Sequence, residues 1–438
     1  MNLPNTPVPV LIIGAGMAGL ACAVRLKAAG VDALLLDSSD GVGGRVRTDL
    51  VDGFRLDRGF QILLTAYPEA QRVLNYEALD LARFRSGALI HQPQSGTNTW
   101  LPLFNPFKEP LSVFKTLTSP IGTVADKLRI VELLRQSQSL PVDELLRQTP
   151  TTTLQRLHDL GFSERIIELF FRPFFGGVFL EDALTTSSTF FDFCFRMFFS
   201  GDAALPALGI GELANQLARR LSPDHIQLNS PVVQLDGTRV TLADGRTIKA
   251  QTIVLAVDPA SVASLRNRPV PDNTAFNHTT CTYFAVPDSW QLPDELPKKM
   301  LILNPDRRSA VHNMAIVSDV APTYAPAGQR LISVSTQGLE TVNETALTDR
   351  IRRELTGWFG DGVQQWRHLR TYHIPQALPA YSPTAATAGT THQPLKLAEG
   401  LYQCGDQSAY PSLNAALQTG RLVAEQILRT DWLVAQSA

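Results

Sequence analysis

The chain has 438 residues, of which 44% are hydrophobic and 18% charged, and its formal net charge is −2 at pH 7. This composition predicts a globular protein with an ample core, and the length predicts two intertwined domains rather than one. The small net charge and the absence of a long basic run argue against nucleic acid as a partner.

The first predicted elements are a buried strand over residues 8–13 and a helix over Met17–Ala29, separated by the glycine-rich segment Gly14–Gly19. The glycines permit a tight turn and let backbone N–H groups approach a ligand at the N-terminus of the helix. Such a turn is typical of proteins that bind the diphosphate of a dinucleotide at a helix N-terminus.

A second apolar run ends at Asp37, 23 residues after Gly14. A carboxylate at the end of the second strand can accept hydrogen bonds from both hydroxyls of an adenosine ribose. Strand, glycine turn, helix and acidic residue follow one another in the order of a dinucleotide-binding unit. We therefore predict a Rossmann-type α/β fold at this end of the chain.

The segment after Asp37 favours a flavin over a nicotinamide dinucleotide. A simple nicotinamide site requires nothing special here, whereas this chain carries Gly43, Gly44 and Arg45 within ten residues of Asp37. The glycine pair lets the backbone pass close to a second half of the cofactor. The Arg45 guanidinium offers a fork to phosphate oxygens. The alternative is a glycine turn beside a surface arginine.

Two long inserts interrupt the predicted nucleotide-binding domain, at residues 81–204 and 271–394. The first is predicted to be rich in helices that end at prolines. The second is predicted to combine a helix over Glu344–Phe359 with strands. Its strand-like runs are Cys281–Val286, Met300–Leu303 and Arg330–Thr336.

A middle block, residues 205–270, is predicted to return to the nucleotide-binding domain. It begins with a loop and an amphipathic helix within residues 205–222. Three strand-like runs follow, over Ile226–Leu235, Arg239–Leu242 and Thr247–Val257. Asp-Gly pairs at 236–237 and 244–245 supply the turns of a three-stranded meander.

The C-terminal block also returns to the cofactor. A strand that starts at Gly400 ends at Gly405 and Asp406, and a helix is predicted over Pro411–Leu428. The N-terminus of this helix carries positive potential, which suits the negative charge of a reduced flavin.

Together these blocks resemble the flavin-containing amine oxidase superfamily, which includes monoamine and polyamine oxidases, protoporphyrinogen oxidase, and phytoene and carotenoid desaturases. The resemblance spans nearly the whole chain and implies FAD, held without a covalent bond. It implies a glutathione-reductase-like FAD domain made of residues 1–80, 205–270 and 395–438. A mixed α+β substrate domain would then consist of residues 81–204, which are helical and rich in phenylalanine, and residues 271–394.

The resemblance also implies roles by position. The glycines of the first turn would frame the diphosphate, Asp37 would hold the ribose, and the Val232 backbone would meet the adenine. Gly405 and Asp406 would lie at the ribityl chain and diphosphate. The residues implied to bind FAD are Gly14, Gly16, Met17, Ala18, Gly19, Asp37, Ser38, Gly43, Gly44, Arg45, Gly59, Phe60, Gln61, Val232, Gly405, Asp406 and Leu413.

Two departures from the amine oxidases bear on the reaction. Where those enzymes often carry an aromatic residue that orients the amine, alignment of the last helix places Ser412. Where they carry a lysine that holds a water near the flavin, alignment of the strand at Cys281 places Thr280. Both departures favour a dehydrogenase or desaturase that passes electrons to an acceptor other than oxygen.

Residues 170–199 contain eleven of the 21 phenylalanines of the chain. One interpretation makes them the core of the first insert. Another makes several of them the wall of an apolar tunnel that leads to the flavin, because ligand pockets are largely apolar and aromatic. An exposed aromatic patch could also contact a membrane that holds a lipid-like substrate.

No catalytic constellation stands out, because hydride removal led by the flavin requires no side-chain base. The weak catalytic candidates are His373, Tyr372 and Gln61, and the first two directly precede the C-terminal block. A lone histidine is more often structural than catalytic. No metal site is expected, since the four cysteines (Cys22, Cys194, Cys281 and Cys404) lie far apart.

We expect a cytoplasmic protein, because the N-terminus lacks the pattern of a signal peptide and no run of about 18 apolar residues occurs. The first hypothesis for function is the transfer of a hydride from a substrate carbon to flavin N5, with desaturation or isomerisation of an apolar polyene or prenoid. The second is oxidation of an amine to an imine. The third is a flavin-binding protein without turnover. The oligomeric state and any peripheral membrane contact stay open.

Overall fold

The computed structural model describes residues 7–94, 97–105, 108–109, 111, 118–269, 275–339, 343–387 and 394–435. The first ten strands of this part are β1 (Val8–Ile13), β2 (Ala33–Leu36), β3 (Thr48–Val51), β4 (Phe54–Asp57), β5 (Leu63–Leu64), β6 (Leu81–Arg83), β7 (Gly87–Gln94), β8 (Thr97–Phe104), β9 (Ala203–Pro206) and β10 (Ile226–Gln227). The next ten are β11 (Val232–Asp236), β12 (Arg239–Leu242), β13 (Thr247–Leu255), β14 (Phe276–Pro287), β15 (Leu301–Leu303), β16 (Asn313–Ile316), β17 (Gln329–Gln337), β18 (Arg367–Pro379), β19 (Lys396–Ala398) and β20 (Leu401–Gln403).

The helices of the same part are interspersed among these strands, and six of them follow one another between β8 and β9. The first seven are α1 (Met17–Lys27), α2 (Pro68–Val73), α3 (Val124–Gln138), α4 (Val142–Leu145), α5 (Thr153–Asp159), α6 (Glu164–Ile166) and α7 (Arg172–Phe179). The next seven are α8 (Ser188–Ser200), α9 (Glu212–Ala218), α10 (Pro259–Leu265), α11 (Val317–Val320), α12 (Glu344–Phe359), α13 (Pro383–Thr387) and α14 (Leu413–Ala435). A π-helical turn over Ile167–Phe171 joins α6 to α7.

A parallel sheet forms the centre of the nucleotide-binding half. Its strands follow the order β10-β2-β1-β13, and β20 pairs in parallel with β13. The apolar residues of β1 and β2 are buried on both faces, as expected for a parallel sheet between two layers. Val10 and Ile12 contact the core that contains α1 and α14, while Leu11 and Ile13 contact the opposite core.

The meander predicted in the middle block is present, with one correction. β11, β12 and β13 pair antiparallel through the two expected turns. The run Ile226–Leu235, however, is not one strand. Its first part, β10, pairs with β2 of the parallel sheet, and the chain then changes direction where the Ser230 N–H donates to Asp37 O at 2.8 Å. This crossing places the start of β11 beside the end of β2.

The second sheet corrects the expectation that the first insert is helical from its start. The order of this seven-stranded sheet is β18-β14-β17-β16-β15-β7-β8, so residues 87–104 of the first insert pair with strands of the second. Two of the prolines that were expected to break helices, Pro93 and Pro102, lie in this hairpin. Pro102 belongs to the edge strand β8, where a missing N–H disrupts no further pairing.

The remaining predicted elements agree closely with the structure, apart from their ends. The helix over Glu344–Phe359 is present with the predicted bounds, whereas α1 ends at Lys27 and α14 continues to Ala435. Within the described residues, no helix is both long and apolar enough to cross a membrane. The two inserts share one sheet, which supports a common substrate domain, while the boundaries assigned from sequence stay a prediction.

Candidate cofactor and substrate site

A cavity of about 1040 Å³ opens at the carboxyl edge of the parallel sheet. Residues that follow four of its strands line the cavity: Gly14 after β1, Asp37 after β2, Ala256 after β13 and Gly405 after β20. Ligands of open α/β sheets bind outside the carboxyl ends of the strands, because the connecting loops diverge there. The strand ends therefore locate the nucleotide site.

The three glycines of the turn after β1 differ in their surroundings. A Cβ on Gly14 would lie 2.4 Å from Ala256 O, and Gly14 has a φ of +107° that disfavours other residues. A Cβ on Gly19 would lie 2.0 Å from Gly14 O. At Gly16 the nearest protein atom to a Cβ would be Gly44 Cα, at 4.0 Å. Gly14 and Gly19 thus shape the turn, while Gly16 leaves open space on the cavity side.

The N-terminus of α1 is suited to an anion. Gly16 is its N-cap residue, no side chain caps the helix, and its first turn carries no acidic residue. The first N–H groups of a helix have no partner within the helix, and here Met17 and Ala18 line the cavity. These uncapped N–H groups and the helix dipole favour a phosphate at this position.

Asp37 accepts more hydrogen bonds from the protein than the sequence suggests. Its Oδ2 accepts from the Ala15 N–H at 2.7 Å, and its Oδ1 accepts from the N–H and hydroxyl of Ser39 at 2.8 and 2.5 Å. An ionised carboxylate has about four acceptor positions. Three positions are occupied by the protein and one remains open, and the binding of the ribose hydroxyls by Asp37 stays a prediction.

Arg45 connects distant parts of the chain at the cavity wall. Its Nη2 lies 2.5 Å from Asp406 Oδ1, and its Nη1 donates to Ala377 O at 3.0 Å. Before this segment, the Gly43 N–H donates to Ala15 O at 2.9 Å, which brings the glycine pair against the first turn. The pairing of Arg45 with phosphate stays a prediction, and the structure adds the ion pair with Asp406.

The loop of Gly59, Phe60 and Gln61 lines the cavity and is held from three sides. Gln61 Nε2 donates to Arg45 O and to Arg58 O, both at 2.9 Å. The Tyr283 hydroxyl donates to Asp57 O at 3.0 Å. The amide of Gln61 therefore shapes the loop, which makes it a poor candidate for a catalytic group.

Asp57, just before this loop, was not recognised from sequence as a structural centre. Its Oδ1 accepts from Thr48 Oγ1 at 2.6 Å and from the Ile210 N–H at 2.9 Å, while its Oδ2 accepts from the Tyr324 hydroxyl at 3.0 Å. Burial raises the pKa of Asp57 to about 6, because these hydrogen bonds only partly offset the lost hydration. Its partners come from three separate segments, two of them more than 150 residues away, so local spacing contained little signal for it.

Two candidate catalytic residues, Tyr372 and His373, lie together on β18 and line the cavity. The Tyr372 hydroxyl donates to Asp49 Oδ2 at 2.8 Å, and burial together with this bond raises the pKa of Tyr372. Tyr372 is therefore a neutral phenol already engaged with a carboxylate. His373 is exposed, with Nδ1 at 3.5 Å from Thr280 Oγ1, and its catalytic role stays a prediction.

The C-terminal residues lie at the cavity as expected. Gly405, Asp406 and Leu413 line it, and Ser412 Oγ accepts from the Ala415 N–H at 3.0 Å as the cap of α14. The Ser412 position is thus a helix cap rather than part of an aromatic cage. Three residues implied by the resemblance do not line the cavity: Gly19, Ser38 and Val232. Their proposed roles towards the cofactor stay predictions.

The phenylalanines of residues 170–199 divide into two sets. Those that line the cavity are Phe170, Phe174, Phe175, Phe190, Phe195, Phe198 and Phe199. Those buried behind it are Phe171, Phe179, Phe191 and Phe193. The second set therefore acts as core, while a tunnel that leads to the flavin stays a prediction for the first set. None of the eleven is among the strongly exposed large side chains of the described residues, so an aromatic membrane patch receives no support.

The structure also bears on a covalent bond between Cys404 and the flavin, on the Thr280 position and on metal binding. Cys404 is buried, and burial raises the pKa of its thiol to about 12, which disfavours the thiolate needed for a covalent flavin bond. Thr280 is also buried and donates to Gly338 O at 3.0 Å. In the parts of the chain that the structure describes, no cluster of three or more His, Cys, Asp or Glu side chains is arranged for a metal ion.

Comparison with known proteins gives the class. Residues 17–428 match the sequence family described as flavin containing amine oxidoreductase. Protoporphyrinogen oxidase 2 of Arabidopsis thaliana is 23% identical over 175 residues, 40% of this chain and 33% of the relative. Phytoene desaturase (lycopene-forming) of Pantoea ananas is 49% identical over 51 residues, 12% of this chain and 10% of the relative. These matches thus span a third or less of the relatives' own length.

The fold is similar over a much longer range. The structure of cyclohexylamine oxidase from Brevibacterium oxydans superposes with a TM-score of 0.71 and 16% identity, over 97% of this chain and 99% of that one. The chain belongs to the flavin containing amine oxidoreductase family, a family of FAD-dependent oxidoreductases.

The residues at the strand ends fit FAD, the cofactor of this family. The open space at Gly16 and the uncapped N-terminus of α1 suit its diphosphate, and Asp37 has an acceptor position left for its ribose. The loop of Gly59, the N-terminus of α14 and the seven phenylalanines line the same cavity. The candidate site therefore has a nucleotide end and an apolar end.

Proposed function

We propose that this protein dehydrogenates or isomerises an apolar, prenoid- or polyene-like substrate. When bound, FAD supplies the acceptor for a hydride from a substrate C–H bond. The observation that carries the proposal is the continuous cavity, which leads from the strand ends to a wall of seven phenylalanines. Such a wall binds an apolar chain, excludes water and offers an ammonium group no counterion.

Two side chains support this proposal over amine oxidation. Ser412 caps α14 where amine oxidases often carry an orienting aromatic residue, and Thr280 is buried where they carry a lysine. The structural likeness to cyclohexylamine oxidase keeps amine oxidation as the second candidate. A flavin-binding protein without turnover is the third.

Anaerobic reduction of the flavin separates the three candidates. Purified protein is mixed without oxygen with prenoid polyenes in detergent and, separately, with a panel of primary and secondary amines, while the flavin absorbance is followed. We expect bleaching by a polyene and none by the amines. Bleaching by an amine alone would overturn the proposal, and a flavin that no donor reduces would favour the third candidate.

Two neighbouring phenylalanines provide matched variants for the cavity. Phe175 and Phe171 are both buried and their ring centroids lie 6.3 Å apart, but only Phe175 lines the cavity. We expect Phe175→Leu to change the KM for the polyene and Phe171→Leu to leave it unchanged. Equal effects of the two substitutions would show that the phenylalanines act only as core.

We also propose that the cavity mouth contacts a lipid surface through one face of α3. Val124, Leu128 and Val131 follow one another at helical spacing and are 62%, 66% and 46% exposed. Leu128 and Val131 also line the cavity, which would let an apolar substrate pass from lipid to the site. Leu128→Asp should weaken co-sedimentation with phosphatidylcholine vesicles. The control Leu50→Asp, at a residue 72% exposed that does not line the cavity, should have no effect.

A further inference from the structure

Three polar side chains form a chain of hydrogen bonds that ends at the apolar part of the cavity. His312 Nε2 lies 3.2 Å from Asp182 Oδ1, and Asn313 Nδ2 lies 3.1 Å from His312 Nδ1. His312 and Asn313 are 6% and 5% exposed, and Asn313 lines the cavity. Asp182, His312 and Asn313 are not among the residues implied to bind FAD.

The direction of these hydrogen bonds follows from Asp182. Burial disfavours the charged form of Asp182, but the hydrogen bonds from His312 and Gln337 help to outweigh it, and the pKa of Asp182 is lowered. The ionised carboxylate only accepts, so His312 Nε2 carries a proton and donates to it. Asn313 Nδ2 faces His312 Nδ1, and an amide nitrogen can only donate, so Nδ1 is the acceptor of this hydrogen bond.

The amide of Asn313 is thereby oriented. Its nitrogen is committed to His312, and its Oδ1 has no hydrogen-bond partner among the described residues and remains for the cavity. The glycine pair of α7 makes room for this arrangement. A Cβ on Gly177 would lie 3.1 Å from Asn313 Nδ2, and one on Gly176 would lie 2.5 Å from Asp182 Oδ1.

The surroundings specify what Oδ1 can bind. Val178 and Leu180, which follow Gly177 in the cavity wall, are apolar, and a substrate that covers Oδ1 without offering a donor would leave a costly unsatisfied acceptor. An ammonium donor would need a carboxylate of its own, whereas Asp182 already holds His312 and Gln337. A neutral donor fits best. We infer that Asn313 Oδ1 accepts a hydrogen bond from a hydroxyl group on an otherwise apolar substrate.

The sheet register sets the distance between this hydroxyl site and the flavin loop. Asn313 pairs with Ser335, Ser335 with Cys281, and Cys281 with Tyr372. Three strand spacings separate Asn313 from Tyr372, about 14 Å. Two residues after Tyr372 on β18, Ile374 lies against the loop, since a Cβ on Gly59 would lie 2.6 Å from Ile374 Cδ1. A prenol chain that reaches from the loop to Asn313 is thus of the length of farnesol.

This inference rests on the proposed apolar substrate. A matched pair of probes distinguishes failure of the inference from failure of the proposed function. Farnesol and farnesyl methyl ether differ only in the hydroxyl donor. Their binding to the FAD-loaded protein is measured by the change in the flavin spectrum. We expect farnesol to bind about tenfold more tightly than the ether, as one unmet buried hydrogen bond predicts. Equal affinities in the wild-type protein would overturn the inference alone. If neither probe binds, the proposed function is contradicted and the inference fails with it.

Two variants test whether Asn313 causes the preference for farnesol over its methyl ether. Asn313→Leu should bind both probes equally, while the control Asn105→Leu, at another cavity-lining asparagine, should retain the preference for farnesol. A preference that survives in Asn313→Leu, or disappears in Asn105→Leu, would contradict the assignment. FAD content shows that each variant is folded, and the wild-type comparison remains decisive if Asn313→Leu does not fold.

His312 is a positioning residue in this scheme, since it acts through Asn313. A His312→Gln side chain can still donate to Asp182 and accept from Asn313, whereas His312→Leu can do neither. We expect the ratio of the two affinities to be retained in His312→Gln and lost in His312→Leu, with affinity for the ether unchanged in both. A purely structural role would change both affinities together and leave their ratio unaltered.

Discussion

At the scale of single residues, the turn after β1 uses glycine for two different purposes, close backbone packing and open space for a ligand. Gly14 and Gly19 are glycines because backbone oxygens occupy the space of a side chain. Gly16 has an ordinary extended backbone and open space instead. The absence of a side chain at Gly16 therefore matters to the ligand and not to the fold.

This difference predicts opposite behaviour for two substitutions. Gly16→Val should leave the melting temperature of the FAD-free protein unchanged and weaken FAD binding at least about tenfold, or about 1.4 kcal/mol. Gly19→Ala should lower both the melting temperature and the affinity for FAD, because its Cβ overlaps Gly14 O. Thermal unfolding and FAD titration of the two apoproteins measure this. Yellow Gly16→Val protein with normal FAD content would refute the placement of the diphosphate.

Asp57 predicts a pH dependence of stability. Its folded pKa of about 6 lies above the ordinary value of 3.8, so the folded protein binds the proton more tightly than the unfolded chain. The stabilising contribution is therefore complete below the unfolded pKa and is lost as the pH rises through about 6. From pH 7.5 to pH 5.5, Asp57 should increase the free energy of unfolding by roughly 1 kcal/mol.

The Asp57→Asn variant checks this assignment, because its side chain has no charge at either pH. We expect a smaller gain in denaturation midpoint on acidification than in the wild-type protein. Asp192, whose pKa burial also raises to about 6, should retain its share of the gain. An unchanged pH dependence in Asp57→Asn would show that Asp57 does not cause it.

At the scale of elements, the contact between α1 and α14 joins the two ends of the chain. A Cβ on Gly420 would lie 2.2 Å from Ala18 O, so the helices approach each other backbone to backbone. Ala18 also lines the cavity, next to the N-terminus of α1. The packing of α14 therefore supports the diphosphate site from behind.

Two glycine-to-alanine substitutions separate helix packing from helix propensity. Gly420→Ala should destabilise the protein by about 1–3 kcal/mol through overpacking and should weaken FAD binding. Gly357→Ala, in α12 with no atom within 4 Å of its Cβ, should stabilise by about 0.5–1 kcal/mol. The melting temperatures of the two variants, compared with that of the wild type, show whether each substitution stabilises or destabilises the protein. A neutral Gly420→Ala would show that the helices can separate without cost.

At the scale of the whole molecule, the cofactor site joins segments that are remote in sequence. Arg45 and Asp406 are 361 residues apart, and their ion pair closes the cavity wall. A ligand at this site contacts the first, middle and last parts of the chain together. Its binding is therefore expected to stabilise the molecule as a unit.

Addition of FAD to the FAD-free protein tests this expectation. Adding FAD at about 100 times its Kd to the apoprotein should raise the free energy of unfolding by about 2.7 kcal/mol and increase Tm. Differential scanning calorimetry measures the shift, and Gly16→Val at the same FAD concentration is the control, in which a Kd at least about tenfold weaker should reduce the gain to about 1.4 kcal/mol or less. A wild-type Tm that is independent of FAD would contradict the site.

Prediction from sequence was most accurate where the relevant residues lie close together in the chain. The unit from β1 to Asp37 and the turns of the meander were predicted, because hydrophobic period, glycine spacing and Asp-Gly pairs are local signals. The strands at residues 81–104 were missed. β7 and β8 pair with each other, but β7 joins the larger sheet through β15, about 200 positions later, and β6 pairs with β9, about 120 positions later. Most of the signal that placed them in sheets was therefore remote.

The sequence by itself determined the cofactor class, since the strand, turn, helix and acidic residue that bind a dinucleotide occupy fewer than 40 consecutive positions. Only the tertiary structure decided which phenylalanines face the cavity, that Asp57 is buried at the meeting point of four segments, and that Asn313 reaches the apolar end. These features depend on contacts across more than a hundred residues, such as those of Asp57 with Ile210 and of Asp182 with His312. Topology creates such contacts, and local spacing carries no trace of them.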